Sequence, residues 1–228
     1  MGLKLHGSKF STCTQRVLTV LAEKGVTDFE IVSINLPAGE HRREPFVSMQ
    51  PFAKIPVLED DGFFVYESRA ICKYIAAKYA DQGTQVMPST SDLKAFGVFE
   101  QGCSIEHSYF DGPASKIGWE KVFKQHKGAG PADEAKVAEY VADLESAFAV
   151  YEKILSKQGY LGGNEVTLAD LFHLPYGTLI QSVGFGSVFE KYPSVKKWFD
   201  SLQARESWKK ASVPAGGPPG KPQANGKP

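Results

Sequence analysis

Between Gln50 and Ile71 the spacing of the apolar residues changes from that of a strand to that of a helix, and the change limits what this part of the chain can build. The stretch reads QPFAKIPVLEDDGFFVYESRAI. Val57-Leu58 and Phe63-Phe64-Val65 flank Asp60-Asp61-Gly62, and two apolar runs around an Asp-Gly turn are a strong short-range signal for a hairpin. After Glu67-Ser68, the residues Ile71, Tyr74, Ile75 and Lys78 recur at helical spacing, so Ser68 is the expected helix cap. A helix start exposes unpaired backbone N–H groups and a partial positive charge, which together favour a carboxylate. Pro56 stands just before a strand, where proline is unwelcome unless it makes a sharp, often cis, turn. Such a turn leaves the neighbouring N–H and C=O free to pair with something else. Two readings follow: Pro56 starts a strand and Ser68 merely caps a helix, or the two together frame a binding edge.

The segment before this hairpin carries its own pattern. Residues 3–6 read as a strand ended by Gly7, residues 13–24 as a helix with Val17, Leu18, Val20 and Leu21 on its apolar stripe, and residues 29–34 as a second strand. Strand, helix and strand within about thirty residues make a βαβ unit with a parallel pair. The hairpin adds two antiparallel strands and a helix over 68–79 closes the unit. Beyond a linker rich in Asp, Gln, Gly, Pro, Ser and Thr, strand patterns vanish. A helix starts at Ser91 or Asp92, and Tyr109-Phe110-Asp111-Gly112-Pro113 bends or ends it. Residues 133–156 form the clearest helix, with Val137, Tyr140, Val141, Leu144, Phe148 and Tyr151 at i, i+3, i+4, i+7 spacing. Thr167 and Asp170 make an Asp version of the capping box, His173 is expected to pack in that helix, and a last amphipathic helix follows Tyr192-Pro193. Residues 213–228 are rich in Gly and Pro, with Lys and Asn among the rest, and are expected to be disordered.

Lys plus Arg and Asp plus Glu are equal at 26 each, so whole-chain charge gives no reason to expect a nucleic acid or an anionic membrane as partner. No apolar run approaches the about 20 residues that span a bilayer, and the N-terminus lacks a signal-peptide core. The three cysteines, Cys13, Cys72 and Cys103, show no metal-type pairing and suit a reducing compartment. The expectation is a cytoplasmic protein with no metal.

KIPVLED followed by ESRAI resembles the glutathione-binding core of the glutathione S-transferases, and SKFSTCTQRVLTVL with GEHRREPF resembles the phi class in particular. The likeness covers nearly the whole chain apart from the last fifteen or so residues. It implies two domains, a thioredoxin-like α/β domain over 1–81 and an all-α domain over 91–212, joined by a linker over 82–90 and followed by a tail over 213–228. It also implies glutathione as co-substrate with no further cofactor, and a homodimer.

The resemblance assigns Ser11 to the sulfur of glutathione. A hydroxyl is too weak an acid to serve as base, so its role would be to donate a hydrogen bond to the thiolate and lower the thiol's pKa. Without the resemblance, Ser11 reads as an N-cap. Thr12 could donate instead, and Cys13, in a first helical turn, could itself be a nucleophile, which would make the protein a thiol transferase. His41, Arg42 and Lys54 would meet the glycine carboxylate, although Arg42 reads equally well as part of a solvated basic loop. Ile55 would pair its main chain with the central cysteine, held open by a cis Pro56. Glu67 would accept from the γ-glutamyl ammonium, and Ser68 would hold the γ-glutamyl carboxylate. Phe10, Thr12, Tyr109, Phe110, Trp119 and Phe123 are candidate walls of an apolar pocket for the electrophile, and each is otherwise a core residue. The activity implied is conjugation to apolar electrophiles, with reduction of hydroperoxides as a further outcome. The rival outside enzymology is a carrier of hydrophobic ligands on the same fold.

Overall fold

A computed structural model describes residues 2–213 of the chain, so all but one residue of the Gly- and Pro-rich tail lies outside the described residues. The first half is built as the spacing predicts. Strand β1 (Leu3–Gly7), helix α1 (Thr12–Glu23) and strand β2 (Phe29–Ser33) form a βαβ unit whose strands pair in parallel, Leu3 opposite Phe29. A short helix α2 (Phe46–Met49) leads to the hairpin of β3 (Val57–Asp60) and β4 (Phe63–Tyr66), closed at Asp61-Gly62, both with positive φ. The sheet order is β2-β1-β3-β4, with β3 antiparallel to β1 and to β4. Helix α3 (Ser68–Lys78) follows, and the Ile55–Pro56 bond is cis. Ser68 is the first residue of α3 rather than its cap. Glu67 holds the cap position with no side-chain capping bond, at φ 70° and ψ 111°.

Strands are absent from the second half of the described residues. Helix α4 (Leu93–Ile105), capped by the Asp92 side chain, does not end at the Tyr109–Pro113 segment. It widens into a π-helical stretch (Glu106–Asp111), continues as α5 (Gly112–Gly118), widens again (Trp119–Phe123) and ends in α6 (Lys124–His126). Pro113 has no N–H to give and its ring would crowd the carbonyl four residues back, and a wider turn before it relieves both. Helix α7 (Glu134–Leu155) is followed by α8 (Leu168–Leu171), α9 (Leu174–Ile180), α10 (Ser187–Glu190), α11 (Pro193–Gln203) and α12 (Glu206–Ala211). The helix at Pro193 is therefore not the last. At six residues α12 is too short to announce itself by periodicity, and it is held to α1 by a bidentate ion pair: Arg205 donates to both oxygens of the buried Glu23 at 2.5 and 2.7 Å. Burial works to raise the Glu23 carboxyl, but bonds from Arg205 and Ser207 outweigh it and hold the group below its usual range.

One apolar core runs through both halves, from Leu5, Val17, Leu58 and Ile75 to Phe99, Phe148, Phe172 and Trp198. No helix among the described residues is long and apolar enough to cross a membrane.

Asp170, fully buried, fastens this core. It accepts from the N–H groups of Leu161 (2.8 Å) and Thr167 (2.9 Å), the Thr167 hydroxyl (3.0 Å) and the Trp198 indole (3.0 Å). The capping box is thus present, with two further donors that local spacing does not reveal. His173, also fully buried, takes a hydrogen bond from Tyr151 at Nε2 (3.1 Å) and faces the Ala169 carbonyl with Nδ1 (2.9 Å). Burial pushes its pKa down to about 4, against the smaller opposing pull of Glu106.

Two outcomes follow from these residues. Asp170→Ala strands several buried donors at about 1–3 kcal/mol each, so a loss of at least about 3 kcal/mol is expected, read as a fall in Tm of about 6–12 °C by calorimetry. His173 is neutral when folded but takes a proton below pH ~6.5 when unfolded, so its contribution is intact above that pH and declines toward its folded pKa of about 4. Unfolding free energies from urea titrations between pH 7.5 and 4.5 should fall with an added slope of up to about 1.4 kcal/mol per pH unit, and His173→Asn should remove that slope.

Candidate active site

The cis Pro56 turn lies against the first turn of α1, and the start of α3 is bonded to α1 through Arg16 and Ser68. Gly7 ends β1 against the Pro56 turn: a Cβ on Gly7 would lie 2.7 Å from Thr14 Oγ1 and 3.4 Å from Pro56 Cβ, so only glycine lets the first turn of α1 approach this closely. Ser11 caps α1, accepting from the Thr14 N–H at 3.3 Å. Its own hydroxyl proton has no acceptor among the described residues, so the capping role and a donor role are compatible. Gln15 tethers the preceding loop through the Lys9 carbonyl at 3.0 Å.

Thr12 is buried and lines the cavity described below, and Cys13 is half-buried with its sulfur 3.7 Å from Arg16 Nη1. Burial raises the Tyr176 phenol above its ordinary range, with Cys13 adding to the rise, so Tyr176 stays protonated beside them.

Ile55, outside the ladder of β3, has main-chain N–H and C=O groups without partners among the described residues. Lys54 and Arg42 are exposed. His41 lies in the single 3₁₀ turn Glu40–Arg42, and its Nδ1 is buried with no hydrogen-bond partner among the described residues. Burial, then the charges of Arg42, Lys127 and Lys54, hold the His41 pKa below its usual value. This corner is thus rich in cations around a neutral imidazole.

On the other side of the turn, Glu67 is exposed and Ser68 is buried. A left-handed φ at a non-glycine residue costs of order 1–3 kcal/mol and recurs where geometry is imposed by function, here at the junction that presents both residues. Ser68 Oγ accepts from Arg16 Nη1 at 2.8 Å. Arg16, 1% exposed, also donates to the Phe172 carbonyl from Nε and Nη2 at 3.3 Å and lies 3.7 Å from Asp111. Arg69 lies beside it, bidentate on the fully buried Glu106 at 2.7 Å and paired with Asp111 at 2.7 Å. Burial alone would lower the Arg69 pKa, but the two carboxylates raise it, so the charge is permanent. Five residues of ordinary α-helix turn through about 500°, which would set Asp111 some 140° from Glu106; the wider π turn aims both at Arg69.

An apolar cavity of about 260 Å³ opens beside Phe10 and Thr12, walled by Phe123, Pro175, Leu179 and Trp208. Three of the six residues predicted for the pocket line it: Phe10, Thr12 and Phe123. The other three do not. Phe110 is in the core, its ring 4.5 Å from that of His173, because its side of the helix faces α7. Tyr109, its neighbour, points outward and is 61% exposed, and Trp119 lies on the surface beneath the Lys127 ammonium at 5.1 Å. Pro175, Leu179 and Trp208 went unrecognised because their apolar spacing reads as core.

Two family models match the chain: "Glutathione S-transferase, N-terminal domain" over residues 1–77 and "Glutathione S-transferase, C-terminal domain" over residues 110–206. Glutathione S-transferase hmp2 of Hypomyces subiculosus is 48% identical over 94% of this chain and all of its own length. The crystal structure of glutathione transferase F7 from Populus trichocarpa superposes with a TM-score of 0.88, at 36% identity, covering 92% of this chain and 97% of that one. Glutathione S-transferase I from maize, solved with an atrazine glutathione conjugate, gives 0.85 at 31% identity, covering 92% and 96%. A parallel β1–β2 pair joined through cis-Pro56 to a hairpin, an all-helical second half, and identity of this extent along the whole length have one common explanation: the chain belongs to the glutathione S-transferase family, and within it to the phi class.

Proposed function

We propose that the protein conjugates glutathione to apolar electrophiles, with Ser11 as the donor that keeps the glutathione sulfur ionised. The observation that carries this is the position of Ser11: a hydroxyl at a helix start, its proton uncommitted, between Phe10 and Thr12, both of which line an apolar cavity of about 260 Å³. A thiol has a pKa near 8.5, and a hydrogen bond to its charged form contributes roughly 1.5–3 kcal/mol, which brings the thiolate into the majority near neutral pH. The tripeptide would lie across the cis-Pro56 turn. Ile55 would offer its free N–H and C=O to the cysteinyl unit. The glycine carboxylate would meet Lys54, Arg42 and His41. The γ-glutamyl end would meet Glu67 and the α3 start with Ser68. Glutathione is then a co-substrate and no resident cofactor takes part. The maize relative's conjugate supports an aryl-type electrophile, which apolar walls would select broadly rather than sharply.

A homodimer accompanies this reading. Phe52, Phe64 and Tyr66 are 68%, 38% and 37% exposed, Phe64 and Tyr66 share one face of β4, and Phe52 and Tyr66 meet edge to face, an apolar surface suited to a second copy. Light scattering should give twice the chain mass, and Phe52→Asp should shift it to the monomer; a monomeric wild type would refute the pairing.

Ser11→Ala tests the mechanism. Glutathione affinity by calorimetry should change little. Conjugation of a chlorinated aryl substrate should slow about 10- to 100-fold at neutral pH, and the pH of half-maximal rate should rise by about one to two units. If neither rate nor profile moves, Ser11 has no such role and Thr12 or Cys13 takes it.

A further inference from the structure

Ser68 holds its place in the site through a residue that belongs to neither the loop nor the helix presenting it. Arg16 Nη1 donates to Ser68 Oγ at 2.8 Å. That bond occupies a lone pair of the serine oxygen and turns the hydroxyl proton away from the guanidinium, and this proton has no acceptor among the described residues. A hydroxyl accepting from a cation is a stronger donor than a free one, because the bonds polarise one another. Arg16 is itself fixed. It is 1% exposed, and its remaining donors reach the Phe172 carbonyl twice at 3.3 Å, the Cys13 sulfur at 3.7 Å and the neighbourhood of Asp111 at 3.7 Å. Phe172 and Asp111 belong to the helical half, so the orientation of Ser68 is set from across the seam.

We propose that Arg16 is a positioning residue for glutathione: it aims and strengthens the Ser68 hydroxyl as donor to the γ-glutamyl carboxylate, and ties that donor to the helical half of the protein. This deepens the functional reading given above and rests on it. Arg16 touches no substrate atom in this account, and its positive charge, two bonds removed, also favours the carboxylate that Ser68 holds.

A double-mutant cycle tests the proposal. Glutathione affinity is measured by calorimetry on wild type, Arg16→Gln, Ser68→Ala and the double variant, with Arg16→Lys as a milder partner, and Tm reports folding of each. Arg16→Gln should weaken glutathione about tenfold, the scale of one charge-assisted hydrogen bond, and should cost less than about twofold more once Ser68 is already alanine. A glutathione analogue lacking the γ-glutamyl α-carboxylate should bind wild type and Arg16→Gln alike. Equal losses in both serine backgrounds, or an equal loss for the analogue, would reduce Arg16 to a structural strut and overturn the proposal. If Ser68→Ala leaves glutathione affinity unchanged while conjugation still depends on Ser11, the γ-glutamyl assignment fails and the proposal with it, but the conjugation reading survives. Should the Arg16 variants not fold, the guanidinium ¹⁵N resonances of Arg16 in wild type decide: they should shift on adding glutathione and not on adding the analogue, and no difference between the two refutes the coupling.

Discussion

A guanidinium shut away from water needs an acceptor for each N–H it carries, and Arg16 finds its acceptors on elements far apart in the chain: Cys13 within its own helix, Ser68 at the start of α3, the Phe172 carbonyl at the end of α8, with Asp111 close by in the π stretch. Arg69 completes the set through Glu106 and Asp111, and both guanidinium groups sit about 6 Å from the Phe172 ring. Removing one partner from a buried pair of this kind costs about 3–5 kcal/mol, because the other is left charged and dry. The two halves therefore cannot slide past one another without breaking charge-assisted bonds, and the cleft between them is held at a fixed width.

The same economy governs the rest of the second half. Asp170 collects four donors from three segments, which sets the short α8, the loop at Leu161 and helix α11 in register at a single atom group. Glu23 does likewise for α1 and α12 through Arg205 and Ser207. Because Trp208 of α12 also walls the apolar cavity, the Glu23 clamp sets one side of the space beside Thr12.

What could be read from the sequence was what depends on neighbours along the chain. The Asp-Gly hairpin, the βαβ unit, the proline turn and the Thr167–Asp170 box each draw on residues within a few positions of one another, and each is present. The Ser68 cap failed by one residue because Glu67, in a left-handed conformation, takes the boundary instead. Roles set by distant partners were not legible. Nothing in the stripe TQRVL distinguishes an arginine that bonds a carbonyl 156 positions later from one that reaches solvent. Tyr109, Phe110 and Trp119 looked alike as aromatic pocket walls, and only the phase of a widened helix separates the exposed from the buried. Arg69 is held by two carboxylates five residues apart, a spacing that an α-helix would put on different sides, so local periodicity does not reveal its partners.

That helix has a structural consequence of its own. Along the run from Leu93 to His126 two broad turns stand in series, one before Pro113 and one ending at Phe123. Each carries a surplus residue relative to a regular coil, and that residue adds almost no net rotation: five residues through the first broad turn cover about the 400° that four cover in a regular helix, so excising a single position there would restore regularity and leave everything beyond it in phase. The same excision from α5, which is regular, would instead turn Phe123 about 100° away from the cavity and leave Asp111 on Arg69. The broad turn is thus where this segment tolerates a change of length, and the regular coil after it is where such a change would reshape the apolar chamber while the two halves stay locked.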